Sequence, residues 1–140
     1  MPKGFGETSK SKKNIANSRD LFFIKEEQKA FMLLQENKLY EAGLIYEKII
    51  KAGYQNCEVY LNMGLIKIQQ ADFFNAIKHL NSALSYHQDN INILSRIAYS
   101  YHKLRNFAKA KEIYEKCICI NNNSSELLFN YAELQKDAGE

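Results

Sequence analysis

The chain has no tryptophan, a single proline and only six glycines among 140 residues. Hairpins need such residues to reverse direction, so their scarcity argues against a loop-rich all-β design. Cysteine is scarce as well, and three is an odd number, so no disulfide framework is implied. Cys117 and Cys119 stand two apart in the sequence, which on a helix turns their sulfurs about 200° away from each other. They can neither chelate one metal together nor act as a two-spaced redox pair. No apolar run approaches the roughly 20 residues that span a bilayer. The first 20 residues also lack the apolar core of a secretory signal, so a cytoplasmic home is expected. Catalytic signatures are missing too. His79, His87 and His102 are dispersed, and no metal-protease, serine-elbow, phosphate-loop or spaced Cys/His ligand pattern occurs. No enzyme activity, cofactor or metal is expected.

Charge of one sign is absent from most of the chain. Residues 1–20 hold five of the 19 basic residues (Lys3, Lys10, Lys12, Lys13, Arg19) and two of the 16 acidic ones (Glu7, Asp20), which is the whole excess of +3. Residues 21–140 carry 14 of each sign. A nucleic-acid module would bear a basic stripe on its folded body, so neither nucleic acid nor a membrane is an expected partner. The first 20 residues, rich in Lys, Ser, Asn and Gly, are expected to be a basic, disordered leader. About half of the residues are apolar and a quarter charged, the balance of a soluble globular chain.

What fills residues 21–140 is one pattern written again and again. Ala76 aligns with Ala42 and Ala110 at a shift of 34 residues, Leu80 with Tyr46 and Tyr114, and Ala83 with Ile49 and Cys117. Upstream, Gly64 aligns with Ala30, Ala98 and Ala132. Asn56, Asn90 and Ser124 precede the first half of a period, and Asp72 and Asn106 the second half, all of them helix N-cap types. Each period therefore predicts two helices of about a dozen residues joined by a short polar turn. Gly64 and Ala76 are expected where the two helices of one repeat cross, and Ala83 where the next repeat packs. The large residues around them fill the remaining space.

The period and these residue types resemble the tetratricopeptide repeat. Residues 57–90 carry the resemblance best, through Tyr60, Met63, Gly64, Phe73, Ala76 and Ala83. Residues 91–124 follow through Ala98, Tyr101, Phe107, Ala110 and Tyr114, and residues 23–56 through Ala30, Ala42 and Tyr46. Residues 125–140 supply one helix only, as a half-repeat or cap, through Leu128, Tyr131, Ala132 and Gly139. The proline that closes that family's repeat is replaced by Tyr54, Gln88 and Asn122. The resemblance implies an all-α solenoid of antiparallel helix pairs wound into a right-handed superhelix. More weakly, the leader and first repeat are similar to repeat proteins of marine cyanobacteria. In some of those the repeats precede a sulfotransferase-like or glycosyltransferase-like domain.

In such solenoids the first helices of the repeats line a concave groove. Carried over one position at a time, this implies a partner-binding groove made of Phe31, Leu34, Leu61, Leu65, Ile68, Tyr99, His102 and Phe129. Families that clamp the terminal carboxylate of a chaperone place Lys, Asn and Arg at these points. Leu61 and Leu65 stand there instead, so an apolar helix or peptide of a partner protein is the expected ligand. The expected function is an interaction scaffold. The alternatives are the interaction region of a larger transferase, cut short, or a homodimer whose exposed strip is self-complementary. The last helix is expected to dock through Leu128, Tyr131 and Leu134, near Ala110, Tyr114 and Cys117.

Overall fold

The computed structural model describes residues 7–140, with side chains from residue 18 onward. Among these residues it is all helix, in the order α1 (Glu7–Gln35), α2 (Leu39–Lys51), α3 (Cys57–Gln69), α4 (Phe73–Leu84), α5 (Ile91–Lys103), α6 (Phe107–Ile120) and α7 (Ser125–Asp137). The chain forms two compact units, residues 1–54 and 55–140. In the first, α1 packs on α2. In the second, α3 pairs with α4 and α5 with α6, α4 packs on α5, and α7 packs on α6 and α5.

The caps show why the helices start where they do. The side chains of Asn56, Asp72, Asn90, Asn106 and Ser124 each accept a hydrogen bond from the backbone N–H three residues on, satisfying one donor the helix leaves unpaired. Among the helices α2 to α7, α2 lacks this device, since Lys38 has no side-chain acceptor to offer. The stops repeat as well. Asn37, Ala71, Arg105 and Gly139 all have positive φ, one period apart. In each turn the N–H of that residue bonds the carbonyl three back, and the following N–H bonds the carbonyl five back. A left-handed residue thus ends α1, α3, α5 and α7 in the same way, although only Gly139 adopts that conformation without strain.

In the first unit Phe23, Ala30, Ala42 and Tyr46 are buried. Tyr54, standing where a proline was missing from the pattern, stacks on Phe23 with centroids 5.3 Å apart and donates to Glu27 Oε2 at 2.8 Å. Arg19 donates from Nη2 to the carbonyl of Ala52 at the end of α2, 2.9 Å away. Helix α1 begins at Glu7, inside the stretch expected to be a disordered leader, so that boundary at residue 20 does not mark where helix starts. The cause is visible in the sequence: no Gly or Pro interrupts residues 7–42. Extending a helix that is already nucleated costs far less than starting one. Residues 1–6, the rest of the expected leader, lie outside the described residues.

In the second unit one core cluster joins Ala76, Leu80 and Ala83 of α4 to Ile93 and Ile97 of α5. A second joins Leu94 and Ala98 of α5, Ala110, Tyr114 and Cys117 of α6, and Leu127 and Leu134 of α7. Gly64 lies against the α4 side chains: a Cβ there would stand 2.6 Å from Cγ and Cδ2 of Leu80 and 3.6 Å from the Ala76 carbonyl. The last helix docks with one of its three expected contacts replaced by a neighbour. Leu127, not Leu128, is buried, while Leu134 is buried and Tyr131 half-buried as expected. Ala132 is exposed, unlike Ala30, Gly64 and Ala98, because no second helix crosses it among the described residues.

Candidate peptide-binding face

Each helix that opens a repeat buries one side and leaves another open. On α1, in the first unit, Leu21, Ile24 and Phe31 fall at i, i+3 and i+10 and point away from the buried Phe23 and Ala30. Phe31 is exposed and Leu34 half-buried. The exposed Met32 widens this apolar side.

In the second unit, Leu61, Leu65 and Ile68 line one stripe of α3, spaced i, i+4 and i+7, and all three are half-buried. Leu61 and Ile68 owe this to the cluster built on Ala76, Leu80 and Ile93, against which they pack. Leu65 is the member of the stripe that neither core cluster claims. On α5 the half-buried Tyr99 meets Phe73 edge-on at 6.1 Å, and Lys103 Nζ lies 5.2 Å above its ring.

His102 does not belong to an open groove, contrary to the expectation from its position. It is 6% exposed, with its ring edge on Phe107 and its Nε2 2.7 Å from Asp137 Oδ2 on α7. An ionised carboxylate can only accept, so Nε2 carries the proton in this contact. That hydrogen bond is the main reason why the Asp137 carboxyl titrates below the ordinary aspartate range. Lys103 and Lys136 add to the effect, against the opposing influence of burial. The pair ties α5 to α7. Both residues fall at polar positions of consecutive repeats, yet nothing in a single sequence says that they meet.

On α7, Phe129 is 64% exposed, with Glu126 and Glu133 on the same side of the helix at i−3 and i+4. Tyr114, which fills the place of Leu80 one repeat later, brings a hydroxyl into the core. It is fully buried without a hydrogen-bond partner. Burial raises its pKa well above the ordinary tyrosine value, and Tyr99, Cys117 and Glu126 push in the same direction. Among the described residues no three His, Cys, Asp or Glu side chains gather where a metal could sit, and no helix is long and apolar enough to cross a membrane.

The tetratricopeptide repeat profile matches residues 91–124, the third period and the one containing α5 and α6. Residues 91–124 are a tetratricopeptide repeat. Over 95 residues, 68% of the chain, it is 28% identical to Superkiller protein 3 of Schizosaccharomyces pombe, and the match spans 7% of that protein's length. The first tetratricopeptide domain of Spaghetti (RPAP3), bound to the HSP90 peptide SRMEEVD, shares the fold with a TM-score of 0.75. Identity there is 19%, over 84% of this chain and 94% of that one. The second such domain of human RPAP3, in complex with an HSP70 peptide, superposes with a TM-score of 0.72 at 16% identity, covering 80% and 93% of the two chains. YrrB, described as a tetratricopeptide protein with an unusual peptide-binding site, gives 0.74 at 12% identity over 79% of this chain and 57% of its own. The architecture read from the 34-residue period, antiparallel helix pairs in an all-α chain, is the one these domains have.

Proposed function

We propose that this protein is a cytoplasmic interaction scaffold that takes a helix or an extended peptide of a partner along the open sides of its first helices and does no chemistry of its own. The observation that carries the reading is the half-buried stripe of Leu61, Leu65 and Ile68 on α3, with the half-buried Tyr99 of α5 at a groove position of the next repeat. Such a surface gives apolar area to a ligand without first having to desolvate a charge. The RPAP3 domains hold acidic peptides of chaperones. Here leucines occupy the places where a carboxylate clamp needs cations, which supports a ligand chosen for its apolar side chains.

The test uses isotope-labelled full chain and three twelve-residue peptides that share one leucine spacing, with glutamine, lysine or glutamate at every other position. The glutamine peptide should shift the amides around Leu65 and Tyr99. Leu65→Glu should abolish that binding while leaving the circular dichroism intact, because Leu65 belongs to neither core cluster. Binding that survives Leu65→Glu would move the site off this face. A concentration-dependent dimer that the same substitution dissolves would assign the stripe to a second copy of the chain.

A further inference from the structure

The same four positions recur on each first helix of the second unit. On α3 they are Tyr60, Met63, Gly64 and Lys67, and on α5 Leu94, Ile97, Ala98 and Tyr101. With α4 paired to α3 and α6 to α5, all of these are buried or half-buried. On α7 the positions hold Leu128, Tyr131, Ala132 and Gln135, and there Leu128 and Ala132 are exposed. Ala132 is the small residue of the set, the type that lets a second helix come close, as Gly64 does beneath Leu80. Beside this strip a cavity of about 300 Å³ opens between α6 and α7, walled by Phe107, Ala108, Leu134, Gln135 and Ala138. Gln135 and Ala138 stand one period after Tyr101 and Leu104, and Tyr101 packs on the α4 core. The shorter side chains leave the space. Charged groups around it are already engaged: Lys111 pairs with Glu140 at 3.0 Å, and Glu115 accepts from Tyr131 at 2.8 Å.

We propose that this strip and cavity dock an amphipathic helix of a partner protein, lying antiparallel on α7 as α4 lies on α3 and α6 on α5. The interface it continues is present twice in the unit, so the chemistry of the occupant can be read from α4, which buries Ala76, Ile77, Leu80 and Ala83. The partner helix carries a small residue on its apolar side, between large ones, so that it can cross at Ala132. Antiparallel docking sets its first turn beside the C-terminal end of α7, where the cavity takes a large apolar side chain in the manner of Phe73. Among the described residues no helix of this kind is free: α2 is packed on α1, α4 on α3 and α6 on α5. A second copy therefore has none to offer, and the occupant comes from another protein. Because the neighbouring charges are paired, the face selects by shape and apolar area rather than by charge. It is a docking face separate from the α3 stripe and does not depend on it.

The probe is a synthetic peptide with the sequence of residues 72–86, which brings the Asp72 cap of α4 with it, added to the isotope-labelled full chain. It should shift the amides of Leu128, Ala132 and Gln135 to saturation, with similar affinity at about 0.05 M and about 0.5 M salt. The same peptide bearing Ala76→Leu should bind about tenfold more weakly, because it cannot approach α7 as closely. In the protein, Ala132→Leu should weaken the unmodified peptide to a similar degree and leave circular dichroism and melting unchanged, since Ala132 is exposed. The three leucine-spaced peptides should not displace the helix, and Leu65→Glu should not alter its affinity. Absence of shifts on α7, or binding undiminished by Ala132→Leu, overturns the docking face. Binding lost with Leu65→Glu would put the helix on α3 and overturns it too. Each of these results leaves the scaffold reading standing. A dimer of the chain alone that Ala132→Leu dissolves would give the face to a second copy and overturn its assignment to a partner.

Discussion

Gly64 shows how much one missing side chain can decide. Its place in the period is held by Ala30 and Ala98 in the flanking repeats, so a methyl group there is compatible with the fold in general. In this repeat the Leu80 branch comes within 2.6 Å of where that methyl would be, and Leu80 is itself fully buried with nowhere to swing. The third repeat has Ala98 opposite Tyr114, so the small and large residues are matched pair by pair rather than by a general rule. Gly64→Leu should therefore overpack α3 against α4 and cost about 1–3 kcal/mol, against which the better helix propensity of leucine recovers up to about 1 kcal/mol. Urea unfolding followed by circular dichroism measures the net loss. An unchanged midpoint would mean that the two helices do not cross at Gly64. The adjacent turn adds a second residue-scale cost, because Ala71 holds a left-handed φ of 56° that an L side chain tolerates poorly.

At the scale of the element, α7 shows how far a helix depends on contacts beyond itself. Thirteen residues is too short for a helix to persist in water alone. It is held by Leu127 and Leu134 in the core, by the Ser124 cap, by Tyr131 donating to Glu115 at 2.8 Å, and by the His102–Asp137 pair. The last of these responds to acid. Asp137 titrates below its unfolded value, so it contributes stability that is complete above the ordinary aspartate range and is lost as the pH falls from about 3.8 through the lowered folded value. Hydrogen exchange, corrected for intrinsic rates, should show α7 less protected than residues 57–118 at neutral pH and losing further protection below about pH 4. Asp137→Asn should remove that additional acid response without removing the first difference. If α7 and α5 lost protection together and the variant changed nothing, the pair would have no part in holding the helix.

At the scale of the whole molecule the repeat was legible because packing repeats: Ala42, Ala76 and Ala110 are all fully buried, and every N-cap read from Asn56 to Ser124 caps its helix. The groove was legible only as positions. His102 sits at a groove position and is buried all the same, because its partner arrives from the next repeat, and a period says nothing about which side chains meet across it. The unpaired Tyr114 hydroxyl was hidden for a similar reason, since Tyr and Leu80 share that place as equally large fillers. Nor could periodicity foresee what happens where it ends. Leu94 and Leu128 occupy the same place in consecutive repeats, yet Leu94 is 4% exposed beneath α6 and Leu128 is 44% exposed. Ala98 and Ala132 differ in the same way. Identical sequence signals therefore carry different energies according to what lies next to them, as nearest-neighbour stability in a solenoid requires. Leu94→Lys should place an unpaired cation in the core and cost several kcal/mol, enough to unfold the repeat, because an ammonium removed from water has no compensating partner there. Leu128→Lys should change stability by no more than about 0.5 kcal/mol, the usual effect of a surface substitution. Melting curves of the two variants, collected on samples shown to be monomeric, would settle the comparison. Equal damage would mean that the Leu128 face of α7 is covered in solution and that the last helix has a partner of its own.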